Sequence, residues 1–389
     1  MTSRGSEFGP LNVARTPSAA YFHVPFCAHR CGYCDFTLIA GRDDLVGDYL
    51  RSLDHEIEMS RIPFGTPLET LFFGGGTPTH PKPAEMRRLF EMTRHYFRIS
   101  PTTEFSVEAN PLDLTDEKIE LLAEMGVNRI SLGVQSFSQQ ALTILERDHC
   151  AEDIRDVMTR LKSKFENVSL DLIFGVPNQT LADWEETLRQ AIELGPSHIS
   201  TYGLTFEKGT AFWTRRERGH LSAVDEELER DQYALAMEQL PAAGYEQYEI
   251  SNFAKPGFEC RHNNVYWNGD EYWAFGPGAA RYLNGRRETN IRSVLGWLAR
   301  LERDESPVAD TEELGPEHRA RELIYLGLRR IRGIARKSFF EQTGFELDKL
   351  CGPALREQTQ LGLLDDDGSH VRLTLEGRFV ADRVVMEFL

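Results

Sequence analysis

Three cysteines crowd into eight residues of a 389-residue chain, in the spacing Cys27-x3-Cys31-x2-Cys34. Thiolates this close in sequence can converge on one metal centre. A structural zinc site normally takes four ligands, commonly from two separated pairs, and no second pair stands near this triplet. Three thiolates on a four-iron cluster leave one iron for an external ligand, so spacing alone leaves zinc and an iron–sulfur cluster both open. The remaining cysteines, Cys150, Cys260 and Cys351, are scattered, too sparse for a disulfide scaffold. The expectation is a reduced, cytoplasmic protein.

Other chemically useful residues recur just after apolar runs. Gly74-Gly75-Gly76-Thr77 is a stretch whose backbone can approach a ligand closely, although a tight turn is the commoner reason for such a run. Arg147 suits a bidentate pair with a carboxylate, Asp171 and Gln135 suit hydroxyls, and Glu108 suits an ammonium. Taken singly, each carboxylate reads as readily as a strand-end cap or a surface ion pair.

The elements that position them decide more. Strand-like runs fall at Tyr21–Val24, Thr70–Phe73, Glu104–Val107, Arg129–Val134, Val168–Phe174 and His198–Tyr202. Helical patterns lie between them at Ala84–Phe97, Asp116–Met125, Gln139–Arg147, Ala151–Phe165 and Leu181–Leu194. This β–α alternation predicts an α/β fold with a parallel sheet covered by helices. Six units are too few for a closed eight-fold barrel, so a partial (β/α)6 barrel is expected over 21–205. Barrels of this kind carry their sites at the carboxyl ends of the strands. Cys27, Gly74–Thr77, Glu108, Gln135, Asp171 and Gly203 all fall there.

Residues 1–20 read as a tail without the apolar stretch of a secretory signal. A barrel-completing extension is expected over 206–310 and a small winged-helix-like α+β module over 311–389. The net charge of −17 argues against nucleic acid and a polybasic membrane anchor, and no apolar run is long enough for an integral membrane segment. The acidic run Asp225–Asp231 reads as a solvated helix start.

In combination these motifs resemble a known family. Tyr21-Phe-His-Val-Pro-Phe-Cys27-Ala-His-Arg-Cys31-Gly-Tyr33-Cys34 looks like the radical S-adenosylmethionine signature, with its aromatic just before the third cysteine. Gly74–Thr79, Glu108–Pro111, Gly133–Phe137 and Asp171–Pro177 are similar to the subgroup containing oxygen-independent coproporphyrinogen III oxidase and the heme chaperone HemW. The resemblance implies a radical SAM barrel with a 4Fe-4S cluster on Cys27, Cys31 and Cys34, and S-adenosylmethionine on the open iron. It implies that Tyr21, Tyr33, Gly75, Gly76, Thr77, Glu108, Gln135, Arg147 and Asp171 bind S-adenosylmethionine. An electron donor such as a flavodoxin or ferredoxin follows from the same chemistry.

Within the subgroup two departures favour a heme chaperone over a coproporphyrinogen III dehydrogenase. Phe36 stands where the oxidases typically carry a further cysteine, and only 26 residues precede Cys27. His262-Asn-Asn-Val-Tyr266-Trp267 matches the HNxxYW pattern of the HemW group. By composition alone His262 is an ordinary hydrogen-bonded histidine among core aromatics. The resemblance instead makes His262, Tyr266 and Trp267 candidate heme contacts, and Cys260 a possible thiolate ligand. A heme-acceptor protein is then the implied partner. Finally, Arg329, Arg330, Arg332, Arg336 and Lys337 form a basic run that could meet porphyrin propionates or simply a solvated helix end.

Overall fold

The computed structural model describes residues 16–389, so most of the tail expected over 1–20 lies outside the described residues. Six strands form where apolar and polar residues alternate with the two-residue period of a pleated chain. They are β1 (Ala19–Val24), β2 (Thr66–Gly75), β3 (Phe97–Ala109), β4 (Arg129–Gln135), β5 (Asn167–Phe174) and β6 (His198–Gly203). One face carries Phe22, Leu71, Phe73, Phe105, Ile130, Leu170 and Ile199, which enter the main hydrophobic core. Helices α1 (Val46–Met59), α2 (Pro83–Tyr96), α3 (Asp116–Glu124), α4 (Gln139–Ile144), α5 (Ala151–Lys162) and α6 (Leu181–Glu193) connect the strands. The other face is polar, and its groups meet one another: Ser131 and Asp171 at 2.9 Å, Ser169 and His198 at 2.8 Å.

The sheet has nine strands rather than six. β7 (Glu246–Gln247), β8 (Asn252–Ala254) and β9 (Trp273–Phe275) give the order β9-β1-β2-β3-β4-β5-β6-β8-β7. β1 to β6 pair in parallel, β9 joins β1 in parallel, and β8 joins β6 antiparallel. The segment after Gly203 therefore covers both exposed edges of the partial barrel. It also supplies α7 (Ala211–Glu217), α8 (Glu226–Ala242), α9 (Arg261–Asn268) and α10 (Val294–Glu302).

The C-terminal part builds a second core around Ile324, Leu328, Leu355, Val371, Val384 and Phe388. Its helices are α11 (Pro316–Leu328), α12 (Arg336–Thr343), α13 (Leu347–Gln360), α14 (Leu375–Phe379) and α15 (Ala381–Met386), set on a three-stranded sheet.

Helix α1 is tied to the extension by a buried acid. Glu56 accepts hydrogen bonds from the Gly276 amide at 2.9 Å, Asn290 Nδ2 at 2.6 Å and Trp297 Nε1 at 3.2 Å. Burial pushes its carboxyl up to about 7, with the hydrogen bonds opposing. The folded pKa lies above the unfolded value, so the Glu56 contribution is fully present below about pH 4.5 and lost as pH rises through 7. Wild-type stability minus that of Glu56→Gln is therefore expected to fall between these values. Urea midpoints of both proteins across that range measure it, and a flat difference would contradict it.

Candidate functional site

Cys27 ends a two-residue strand, Phe26–Cys27, that pairs with Ile39–Ala40. The loop between is held by Arg30, whose guanidinium donates to the carbonyls of Cys34, Phe36 and Leu38 at 3.3, 3.4 and 2.8 Å. The Phe212 amide of α7 donates to Gly32 O at 2.8 Å and clamps the same loop from outside. The three cysteines open on one cavity of about 1300 Å³. Cys27 Sγ lies 3.2 Å from Thr77 Oγ1, and burial pushes its thiol up to about 11. Burial also raises Cys34. Cys31 Sγ lies 3.7 Å from Arg147 Nη1.

The rim residues converge on this cavity. Tyr33, Gly75, Gly76, Thr77, Glu108, Gln135, Arg147 and Asp171 all line it. Arg147 is freed to reach it because α4 stops at Ile144, short of the helix expected through Arg147. Glu146 turns into the left-handed region (φ 56°) and the Arg147 amide caps Leu142 O at 2.9 Å. Arg147 Nη2 donates to Gly133 O at 2.9 Å, while its buried Nε has no protein partner. Glu108 accepts from the Gly75 amide at 3.0 Å and is pushed up to about 7 by burial and then by the charge of Asp171. Asp171 is also raised by burial, against hydrogen bonds from Ser200, Ser131 and Ser169. Gln135 holds φ 66°, a strained conformation that costs on the order of 1 kcal/mol and is commonly retained at ligand sites.

The glycine run also meets a packing requirement. A Cβ on Gly76 would stand 2.8 Å from both Val24 O and Phe26 O, and Gly75 holds φ 108° against the His23 ring. These residues are glycine because the loop packs on the chain following β1, with Gly76 N on Val24 O at 2.9 Å and Thr77 N on Phe26 O at 2.7 Å.

Four predicted residues lie elsewhere. Tyr21 is not in the cavity wall; its hydroxyl bonds His23 Nδ1 at 3.0 Å and its ring stacks on Phe72. His262, Tyr266 and Trp267 are on α9, which packs at the amino end of the strands. His262 Nδ1 meets Thr70 Oγ1 at 2.9 Å, its Nε2 meets Tyr266 Oη at 2.8 Å, and its ring stacks on Phe72. Its main-chain amide donates to Glu104 at 2.9 Å. Burial, then the nearby Arg129, pushes the His262 imidazole down to about 3, so it is neutral at any working pH. Cys260 is fully buried below the same helix and is pushed up to about 12. Both His262 nitrogens are occupied because α9 plugs the barrel from below. His262→Ala is therefore expected to lower stability by about 2–4 kcal/mol in urea unfolding, by leaving Thr70 and Tyr266 unpartnered and a void under Phe72. An unchanged midpoint would contradict this structural role.

The basic run does not form one patch. Arg336 pairs with Asp348 and Asp366, Lys337 with Glu341, and Arg330 with Asn268. Only Arg329 of the five reaches the cavity, bonding Asp382 at 3.0 Å with its guanidinium over the Trp267 ring.

The residues present fit a thiolate-bound cluster with a zwitterionic ligand. Among the described residues no three His, Cys, Asp or Glu side chains are grouped to hold a single metal ion. The orphaned Arg147 Nε suits a carboxylate, and two carboxyls raised by burial suit a cation and hydroxyls.

Residues 21–191 match the Radical SAM superfamily and residues 314–380 match the HemN C-terminal domain. The chain resembles the solved structure of coproporphyrinogen III oxidase (HemN) from Escherichia coli with a TM-score of 0.83 at 23% identity, over 96% of this chain and 90% of that one. Fold, cysteine loop and superfamily match together define a radical SAM protein, a class that implies a 4Fe-4S cluster and S-adenosylmethionine. Heme chaperone HemW of Bacillus subtilis (strain 168) is 38% identical over 95% of this chain and 99% of its own. HemW of Escherichia coli (strain K12) is 32% identical over 97% and 99%. The mitochondrial radical S-adenosyl methionine domain-containing protein 1 of Bos taurus is 30% identical over 96% and 87%. The chain belongs to the HemW family.

Sequence reasoning missed the far wall of the cavity. Tyr202 on β6, Tyr233 and Arg230 on α8, and Arg378, Phe379 and Arg383 on α14 and α15 all line it. None sits in a local motif; for Arg378, Phe379 and Arg383 the mixed apolar and cationic character of a short C-terminal stretch offered a signal, and for Tyr202, Arg230 and Tyr233 there was none.

Proposed function

We propose that this chain is a heme chaperone that binds heme and transfers it to an acceptor protein. The near-full-length similarity to relatives named heme chaperone HemW carries the reading. Phe36, exposed at the cavity mouth where the oxidases typically have a further cysteine, supports it.

In this reading Cys27, Cys31 and Cys34 hold a 4Fe-4S cluster, and S-adenosylmethionine completes its open position. Arg147 binds the methionyl carboxylate, Glu108 the ammonium, and Asp171 and Gln135 the ribose hydroxyls. Gly75, Gly76 and Thr77 border the methionyl end, and Tyr33 packs beside the cluster loop. When bound, these cofactors supply one-electron chemistry, fed by a flavodoxin or ferredoxin. The chain itself orients the ligand and shields the loop from water. An axial role for His262 requires its release from Thr70 and Tyr266.

The fold likeness to HemN favours a second reading, an oxygen-independent coproporphyrinogen III dehydrogenase. Anaerobically reconstituted protein given coproporphyrinogen III, S-adenosylmethionine and a reductant, and separately titrated with heme, separates the two. Stoichiometric heme binding without porphyrinogen turnover is expected. Accumulation of protoporphyrinogen IX would reverse the assignment.

A further inference from the structure

A cavity of about 1300 Å³ exceeds the roughly 300–1,000 Å³ that ordinarily encloses one small ligand. The part walled by the cysteine loop and strand rim is termed the inner chamber, and the part walled by α14 and α15, the roof, the outer chamber. These short helices meet at Val380 and are anchored in the C-terminal core by Ala381, Val384 and Val385. The roof is therefore a fixed surface rather than a loose arm.

Four cations line the outer chamber, and two of them are already neutralised. Arg329 bonds Asp382 at 3.0 Å. Arg230 pairs with Glu376 at 3.2 Å and lies over the Phe379 ring. Arg378 is different. Its side chain makes one hydrogen bond, from Nη1 to Gln247 Oε1 at 3.0 Å, and its buried Nε has no partner. Among the described residues neither Arg378 nor Arg383 lies within 4.0 Å of a carboxylate oxygen. A guanidinium held in a cavity wall beside a neutral amide is poised for a carboxylate supplied from outside.

The chamber is also polarised. Glu226, Glu227 and Glu229 line it from α8, with Arg230 as that wall's one cation. The roof carboxylates Glu376 and Asp382 are each paired with an arginine, so the roof is the less acidic of the two walls for a ligand's carboxylates. Along the chain Phe379, whose ring is partly covered by Arg230 and Tyr233, and the exposed Val380 separate the two unpaired arginines, and both line the cavity. Two cations flanking an apolar strip match a flat apolar ring with two carboxylates on one edge.

We infer that α14 and α15 form the carboxylate-binding site for a dicarboxylate tetrapyrrole, with Arg378 and Arg383 each taking one propionate. The inference rests on the heme-binding reading and adds the place and orientation of the ligand. Heme sits in the outer chamber, edge-on to the roof, above the inner cofactor chamber.

The test compares hemin with its dimethyl ester, both titrated in mild detergent and followed by Soret absorbance. Wild-type protein is expected to bind hemin at least tenfold more tightly than the diester. The double variant Arg378→Gln/Arg383→Gln is expected to bind both ligands as weakly as wild type binds the diester, while keeping wild-type iron content and thermal midpoint. Equal affinities of wild type for the two ligands would overturn the inference with no variant needed, and heme binding itself would stand. Retained discrimination in the double variant would overturn it too. Wild type that binds neither ligand would remove the heme-binding reading and this inference together.

Discussion

Replacing any one of Cys27, Cys31 or Cys34 by Ala is expected to abolish the broad iron–sulfur absorbance and to reduce bound iron from about four atoms per chain towards zero. The three thiols are the whole cysteine complement of the cavity wall, so removing one exposes a second iron to solvent and oxidant. Burial pushes the Cys27 thiol up, so metal binding there would release a proton. The loop itself survives the substitution. Arg30, the strand pair Phe26–Cys27 with Ile39–Ala40, and the Phe212 clamp do not use sulfur. Iron and sulfide determination with circular dichroism checks both halves of the claim. Cys150→Ala is the internal control and keeps its iron. Unchanged iron content in the triple variant would reject the assignment.

Arg147→Met is expected to weaken S-adenosylmethionine binding by two to three orders of magnitude in cluster-loaded protein. Removing one partner of a desolvated charge pair costs about 2–5 kcal/mol, mostly because the other charge is left buried alone. Arg147 is placed for such a pair. One Nη is engaged by Gly133 O and the other faces Cys31, which leaves the buried Nε without a protein acceptor. Arg147→Lys keeps the charge but not the fork, and an intermediate loss is expected. Equilibrium dialysis with labelled ligand reads the series. Wild-type affinity in Arg147→Met would confine the residue to supporting the cluster loop.

The barrel was legible because its signal is local and periodic. Tyr21–Val24 through His198–Tyr202 alternate faces, and the polar groups at their carboxyl ends fall on one rim by topology alone. Helix α1 was not read, because its buried stripe of Tyr49, Leu53 and Ile57 is interrupted by the acid Glu56. The added strands β7, β8 and β9 were missed for a simpler reason: two or three residues carry no period. The basic run left two readings open because its acidic partners, at Asp348, Asp366 and Asp382, arrive only on folding. The HNxxYW segment shows the limit most clearly. A residue string can say that His262 matters, but its two hydrogen-bond partners come from β2 and from one helical turn away.

Helix α9 has a consequence for timing. Packed on Thr70 and Glu104, it fills the amino end of the barrel and lies outside the wall of the cysteine cavity. If the tetrapyrrole stands between the cysteine loop and solvent, two ligands sharing this cavity load in sequence: the inner one arrives first and leaves last. A tetrapyrrole at the roof would slow the escape of whatever lies beneath it, without any moving part. Cargo delivery and cofactor turnover would then be coupled by queueing alone.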